Sequence, residues 1–383
     1  MTQNKTFCFF SANYLPYMGG IERNTSTVAR YLSERSHKVI IVTSNVFRLQ
    51  DIEEAEHAKI YRMPCYNLLD GRFPVLRMNR VFRKLNKQLL EEKIDYVIVN
   101  TRFYIHTLYG VRFAKKLGLP CIVHERGTGH FTVNNRFFDS VGHVYEHAIT
   151  WLVRRFPVRF YGVSLASSEW LTHFGIKPSG VIYNAIELGE VEKYREKPTQ
   201  DFRSGYGVEP DDIVVTFTGR LVIEKGIMKL VEAMKILEAE GLKVHLFIAG
   251  DGPLLGGLRH CTEHNIHVLG RLQSPCVYSL LSQSDIFCFP TDYPEGFPTS
   301  VMEAVACRSF CITTPRGGTR ELLHDDSYGI VLDVSTPETI AAAIRIAAED
   351  SSYRNSASEK AYKRLAETFS WDKTVDRFFE IFG

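Results

Sequence analysis

Two carboxylates and two cations, each pair close in sequence, could between them do the chemistry of this chain. Glu295 and Glu303 lie in PEGFPTSVMEA (294–304), where Pro298 is placed to open a helix whose apolar side carries Val301, Met302, Val305 and Ala306. A proline at the first helical position costs nothing, because its missing N–H would be unpaired there anyway. The amides of Thr299 and Ser300 then belong to a helix N-terminus, which favours an anion. Glu295 sits in the loop before that terminus, and Glu303 lies over a turn further in, roughly 7–8 Å along the axis at ~1.5 Å per residue. Carboxylates so separated do not share a proton. They suit hydroxyl groups on either side of a bound phosphate, and a nucleotide-sugar has that layout of sugar, diphosphate and ribose. The alternative is a surface helix with one acidic cap residue. Arg220 and Lys225 lie in TGRLVIEKG (218–226), after an apolar run and before a helical one. Cations at the carboxyl end of a strand can neutralise a diphosphate, arginine through its bidentate fork and lysine as a point charge. Two solvated charges beside Glu224 are the alternative here.

The elements that must hold these groups read as alternating strands and helices. Residues 6–11 form an apolar strand candidate that runs into Gly19 and Gly20 and then a helical pattern over 21–33. Strand, glycine turn and helix open a dinucleotide-type unit, in which glycines let the backbone approach a phosphate at a helix N-terminus; a plain tight turn is the other reading. Further strands are expected at 39–44, 59–63, 96–101, 121–124, 159–164 and 181–186, with helices over 79–93 and 107–117. The alternation predicts a parallel, doubly wound α/β sheet, whose ligands bind at the carboxyl ends of the strands. That singles out His124, which closes CIVHERG (121–127) ahead of a loop holding Glu125, Arg126, Gly127, Gly129 and His130. A lone histidine at a strand end is also a common structural residue. Residues 189–212 are polar, contain glycine and proline and lack periodicity, so they read as an interdomain linker. A second alternating series follows at 213–219, 244–250, 266–270, 286–290, 310–314 and 329–333, and residues 371–381 form a last helix.

Glu-x7-Glu embedded in PEGFP…S…EA resembles the signature of the retaining glycosyltransferases of family GT4. The likeness extends through GRL-x3-KG (219–226), AGDGP (249–253), VLGR (268–271) and PRGGTREL (315–322), and more weakly through the paired glycines, GVSLASSEWL (162–171) and VIYNAIE (181–187). Tyr183 replaces the family's usual proline before Asn184, which puts the local turn geometry in question. The resemblance spans nearly the whole chain and implies the GT-B architecture: two Rossmann-like domains facing across a cleft, 1–188 and 189–370, with 371–383 packing back on the first. It implies a nucleotide-sugar donor, a UDP-sugar ahead of a GDP-sugar, in the second domain. Glu303 would hold the ribose, Arg220 and Lys225 the diphosphate, and Glu295 with the amides of Gly296, Phe297, Pro298, Thr299 and Ser300 the sugar and its phosphate. Gly250 and Arg271 join the donor-binding set through their motifs. Gly19 and Gly20 would complete the phosphate site as the cleft closes, with His124 beside the sugar. The acceptor implied is a glycan or a lipid-linked hydroxyl, with bacterial surface polysaccharide or glycolipid as the setting.

Composition narrows the field. At 383 residues with 45% hydrophobic and 23% charged residues, the chain has room for two cores of ordinary size. Net charge +2 neither requires nor excludes an acidic partner. The cysteines are scattered through apolar runs, which suggests buried thiols in a reducing compartment. No signal peptide or membrane span is legible, so a cytoplasmic protein is expected, with a peripheral place at the inner face of a membrane as an option. Residues 72–90 (RFPVLRMNRVFRKLNKQLL) carry six basic residues and no acidic one, as a helix lying on an anionic membrane would, or as an ordinary solvated face would. Residues 151–160 (WLVRRFPVRF) form a second basic-aromatic patch. No nucleic-acid recognition motif accompanies the charge. His260, Cys261, His264 and His267 look metal-like but lack a matching second ligand group, and no Asp-x-Asp motif is present, so no metal or other cofactor is expected. Two rivals share the scaffold: a GT-B nucleotide-sugar epimerase and a non-catalytic nucleotide-sugar-binding protein.

Overall fold

TFCFF (Thr6–Phe10) and IFCF (Ile286–Phe289) are apolar at every position and buried at every position, as parallel strands covered by helices on both faces must be. The structure, a computed structural model, describes residues 4–17, 19–132, 135–261 and 263–383. It divides into two units, Met1–Asn184 with Trp371–Gly383, and Ala185–Ser370.

The first unit contains β1 (Thr6–Phe10), β2 (Lys38–Ser44), β3 (Ile52–Glu54), β4 (Lys59–Met63), β5 (Cys65–Leu68), β6 (Phe73–Leu76), β7 (Tyr96–Asn100), β8 (Cys121–Glu125), β9 (Arg159–Gly162) and β10 (Gly180–Val181). Its helices are α1 (Gly20–Glu34), α2 (Arg80–Leu90), α3 (Ile105–Leu117), α4 (Arg136–Val153) and α5 (Leu165–Thr172). The main sheet runs β10-β9-β8-β7-β1-β2-β4-β3. Every pairing in it is parallel except β3 with β4, and β5 with β6 forms a separate antiparallel hairpin. The strand expected over 181–186 shortens to Gly180–Val181. Ile182 N still donates to Gly162 O, but the ladder then ends.

The C-terminal helix, Trp371–Phe382, belongs to this unit. Phe379 meets Phe7 edge-on at 5.5 Å, Phe378 meets Phe9 at 6.1 Å, and Phe382 stacks on Tyr96 at 4.5 Å. Arg35 at the end of α1 reaches Asp372 and Asp376, each at 2.6 Å. These contacts cover one face of β1, whose residues are almost wholly buried.

The second unit has β11 (Ile213–Thr218), β12 (Val244–Ala249), β13 (Ile266–Gly270), β14 (Ile286–Phe289), β15 (Phe310–Thr313) and β16 (Ile330–Val331). Its helices are α6 (Leu188–Glu196), α7 (Phe202–Gly205), α8 (Ile227–Ala239), α9 (Leu255–Leu258), α10 (Ser274–Ser282), α11 (Thr299–Ala306), α12 (Thr319–Leu322), α13 (Pro337–Glu349) and α14 (Ser351–Thr368). All pairings are parallel, in the order β13-β12-β11-β14-β15-β16. Counted from β11 this is 3-2-1-4-5-6, the doubly wound order that opens a ligand crevice where the first and fourth strands diverge.

Residues 189–212 are not a linker. They form most of α6 and all of α7, anchored by Val191, Phe202 and Val208, which are buried among otherwise polar positions. Three apolar anchors in so polar a stretch carry no period, which is why the helices were hidden. Phe202 N donates to Gln283 Oε1 and Thr199 N to Ser279 Oγ, tying the stretch to α10.

All three tryptophans, Trp151, Trp170 and Trp371, lie in the first unit, so their fluorescence reports on that unit alone. Truncating Phe378 to alanine should cost it about 3–5 kcal/mol. A urea titration followed by tryptophan emission should show a clearly lower midpoint, and an unchanged midpoint would mean that the C-terminal helix adds nothing to this core.

Candidate active site

In the second unit the crevice between β11 and β14 receives the loops that follow those two strands, and these carry Arg220, Lys225 and Glu295. Lys225 Nζ lies 2.8 Å from Glu295 Oε1, and both side chains are largely shielded from solvent. The ammonium also sits over the rings of Phe289, at 4.9 Å, and Tyr293, at 5.7 Å. Arg220 is exposed and lies 5.9 Å from the Tyr293 ring. Two cations and one carboxylate are thus gathered around Tyr293.

The two loops are locked by main-chain contacts. Glu224 O accepts from the N–H of Asp292, at 2.8 Å, and of Tyr293, at 3.1 Å. A Cβ on Gly226 would stand 2.1 Å from Pro290 O, so only glycine permits this approach. Leu221 N donates to Asp251 O, and a Cβ on Gly250 would fall 1.9 Å from Gly219 O. Gly250 therefore shapes the Arg220 loop from behind. Arg271 follows β13 and is exposed.

α11 begins at Thr299 with Pro298 as its cap, one position before the placement expected for the proline. Val301 N and Met302 N both reach back to Pro298 O. Thr299 and Ser300 are the first helical residues, and Glu303 lies half-buried one turn on. The turn ahead of the helix is buttressed by Gly317 and Gly318. Gly318 N donates to Gly296 O at 3.0 Å, and a Cβ on Gly318 would overlap the ring of Phe297, which stacks on Phe369. The segment from Glu295 to Phe297 is thus fixed by side-chain and backbone packing.

In the first unit, α1 starts at Gly20 with Gly19 as its cap. A Cβ on Gly20 would meet nothing within 4 Å, whereas one on Gly19 would collide with the Glu22 carboxylate, which folds back over that glycine. Arg126 donates to Asn184 Oδ1 at 2.8 Å and to Asn24 Oδ1, and Asn24 in turn donates to Asn184 at 3.1 Å. Burial pushes the Glu22 carboxyl up to about 7, against the pull of Arg126, and lowers Arg126 to about 10. His124 is buried, with Nε2 2.9 Å from Ile182 O. Burial, with Arg126 nearby, holds it well below the ordinary 6.5, so at neutral pH it is an uncharged imidazole whose Nε2 carries the proton.

The loop after β8 is held by two buried carboxylates. Glu125 Oε1 accepts from the N–H of Arg126 and Gly127, and Glu146 Oε1 from the N–H of Phe131. Arg102, fully buried, bridges Glu125 at 2.9 Å and Glu146 at 2.6 Å. Glu22, Asn24, Arg102 and Glu146 were not among the residues singled out in the sequence. Arg102 had a signal, a cation two residues past an apolar strand. The others are single polar positions on helices and had none. His260, Cys261, His264 and His267, from which the sequence predicts no metal site, lie past the end of α9 at Leu258; His267 stacks on His245 in the neighbouring strand, and His264 pairs with Glu238.

Residues 18–190 match the model of Glycosyltransferase Family 4, and residues 198–364 match that of Glycosyl transferases group 1. This chain belongs to the GT4-like glycosyltransferases. An uncharacterised glycosyltransferase of Methanocaldococcus jannaschii is 24% identical to it, with 97% of each chain aligned. The alpha-monoglucosyldiacylglycerol synthase of Streptococcus pneumoniae is 22% identical over 97% of this chain and 84% of its own length. The crystal structure of Anabaena HepE in complex with UDP-glucose superposes with a TM-score of 0.71 at 17% identity, covering 98% of both chains, which makes the fold of this glycosyltransferase GT-B.

The raised Glu22 carboxyl gives this glycosyltransferase a pH signature. Unfolded, the group ionises near 4.5; folded, near 7. Its stabilising contribution is therefore complete below about 4.5 and is lost as pH rises to about 7. Glu22→Gln should unfold at a higher temperature than the wild type above pH 7, with the gap widening between pH 5 and pH 7. Glu146, also raised to about 7 by burial, leaves a residual pH dependence in both proteins. A gap that stays constant across that range would contradict the assignment.

Proposed function

We propose that this glycosyltransferase moves a sugar from a nucleotide-sugar to a hydroxyl of a glycan or lipid-linked acceptor, retaining the anomeric configuration. The Lys225–Glu295 pair at the strand-order switch carries the reading. It sets a cation for a diphosphate next to a carboxylate for sugar hydroxyls, with Arg220 in the same loop. In this reading Glu295 and the backbone of Gly296 to Ser300 hold the sugar and its phosphate, Glu303 holds the ribose, and Gly250 and Arg271 support the donor. Gly19 and Gly20 serve as a phosphate-facing turn and His124 as an uncharged sugar contact.

The acceptor oxygen bonds to the anomeric carbon on the leaving-group face as the bond from that carbon to the phosphate oxygen breaks. The hydroxyl proton passes to the departing phosphate. Arg220 and Lys225 stabilise the charge that develops there, which is where such catalysis is largest. Neither a protein nucleophile nor a metal is part of this proposal. A UDP-sugar stands ahead of a GDP-sugar as donor, favoured by the UDP-glucose in the HepE structure. The name of the Streptococcus pneumoniae relative, a synthase of a glucosyl lipid, favours a lipid-linked acceptor and a place in surface polysaccharide or glycolipid synthesis.

A donor panel tests this reading. Wild type and Glu295→Ala would be given UDP-, GDP- and ADP-sugars, first without acceptor and then with a lipid extract, and products read by mass spectrometry. The expected outcome is acceptor-dependent release of one nucleotide, reduced about 100-fold or more in the variant. Acceptor-independent release with an altered sugar would favour an epimerase, and no release from any donor would favour a binding protein.

Work at an anionic membrane surface, at the cytoplasmic side, completes the proposal. No helix of the described residues is long and apolar enough to cross a membrane. Arg72, Arg77, Arg80, Arg83, Lys84 and Lys87 are all exposed, while Phe82 and Leu85, which interleave with them, are buried in the core. The part of the apolar stripe of α2 formed by Phe82 and Leu85 is therefore unavailable to lipid, and the contact would be mainly electrostatic, aided by Val81 and by Tyr66, Leu68 and Leu69 exposed on the neighbouring hairpin. Co-sedimentation with phosphatidylglycerol vesicles but not phosphatidylcholine vesicles is expected, and it should weaken in a variant carrying Arg80→Glu, Arg83→Glu and Lys87→Glu. Absence of binding to the anionic vesicles would end the idea.

A further inference from the structure

The first unit also gathers histidines from three separate elements. One ring nitrogen from each of His130, His147 and His173 lies within 4.8 Å of the other two. His130 is in the loop after β8, His147 is on α4, and His173 closes α5. Their rings lie 5.1–5.6 Å apart, and His143, one turn before His147, stacks on His130 at 4.0 Å. Trp170 stacks on the outer ring of His173 at 4.7 Å.

His130 also has the support that metal-binding imidazoles have. Its Nδ1 lies 3.0 Å from Oε2 of Glu146, a carboxylate that is itself buried and held by Arg102. A carboxylate on one ring nitrogen fixes the tautomer and makes the other nitrogen a better ligand.

We propose that His130, His147 and His173 bind a borderline divalent cation, zinc by preference, and that the bound ion ties the loop after β8 to α4 and α5. An all-imidazole set suits zinc, copper or nickel over magnesium or calcium. With Zn–N bonds near 2.0–2.1 Å, tetrahedral ligand nitrogens stand roughly 3.3 Å apart. The two outer rings, His147 and His173, are exposed and can rotate to close that gap. A water molecule would supply the fourth ligand. The ion plays no part in the transfer chemistry proposed above. It acts on the segment that carries Arg126 and follows His124, through Glu146 and the Phe131 amide it holds.

The test uses the full chain made without a histidine tag, stripped with EDTA and titrated with zinc chloride by calorimetry and with cobalt chloride by visible absorption. A single zinc ion per chain is expected, with a tetrahedral cobalt band and slower amide exchange at residues 126–131. His147→Gln and His173→Gln should each weaken zinc by roughly tenfold or more and remove the cobalt band. Both changes are at exposed rings, so the circular-dichroism spectrum should not change. Failure of the wild type to take up zinc at micromolar concentration, or equal uptake by the wild type and both variants, would overturn the proposal.

Discussion

Parallel strands buried on both faces admit a polar side chain only where it finds a partner, so most of the charged groups gather at or beyond the strands' carboxyl ends, and both units are built on such strands. The consequence is visible wherever a strand stops. β11 is followed by Arg220 and Lys225, β14 by Asp292, Tyr293 and Glu295, and β8 ends in His124 and Glu125. The order β13-β12-β11-β14 makes β11 and β14 parallel neighbours, so the loops at their carboxyl ends emerge together, which is why Lys225 and Glu295, seventy residues apart in sequence, lie side by side. The glycines at 226 and 250 let the backbones close up behind that pair.

The first unit answers the same constraint with buried charge. Arg102, Glu125 and Glu146 are almost wholly removed from water, a costly arrangement unless every partner is present. Here the carboxylates also accept main-chain N–H groups, so the network fixes both ends of the loop that carries Arg126 and His130. Arg102 lies over the Phe174 ring at 3.8 Å, an apolar seat that a guanidinium tolerates better than an ammonium would. The loop's conformation therefore depends on ionisable groups outside the loop itself.

What could be read from the sequence follows the same division. Fully apolar strands announced themselves, and the predicted ends of β4 and β13 coincide with those observed. GRL-x3-KG and PEGFP were legible because their glycines and prolines are local demands of the backbone. Glu22, Asn24 and Glu146 were not, because their meaning comes from what they face in three dimensions. The histidines show this from both sides: 260, 264 and 267 are close in sequence and disperse, whereas 130, 147 and 173 are far apart and converge. α6 and α7 escaped notice because three buried side chains set no period.

The placement of the C-terminal helix has a consequence for biosynthesis. The first unit is discontinuous, interrupted by all of Ala185–Ser370. A ribosome must therefore deliver the entire second unit before the helix that covers Phe7 and Phe9 emerges. Until then the face of β1 that carries Phe7 and Phe9 lacks the aromatic side chains that cover it in the folded unit. No contiguous fragment can reproduce the first unit, so isolating it requires joining residue 184 to residue 371 through a short linker.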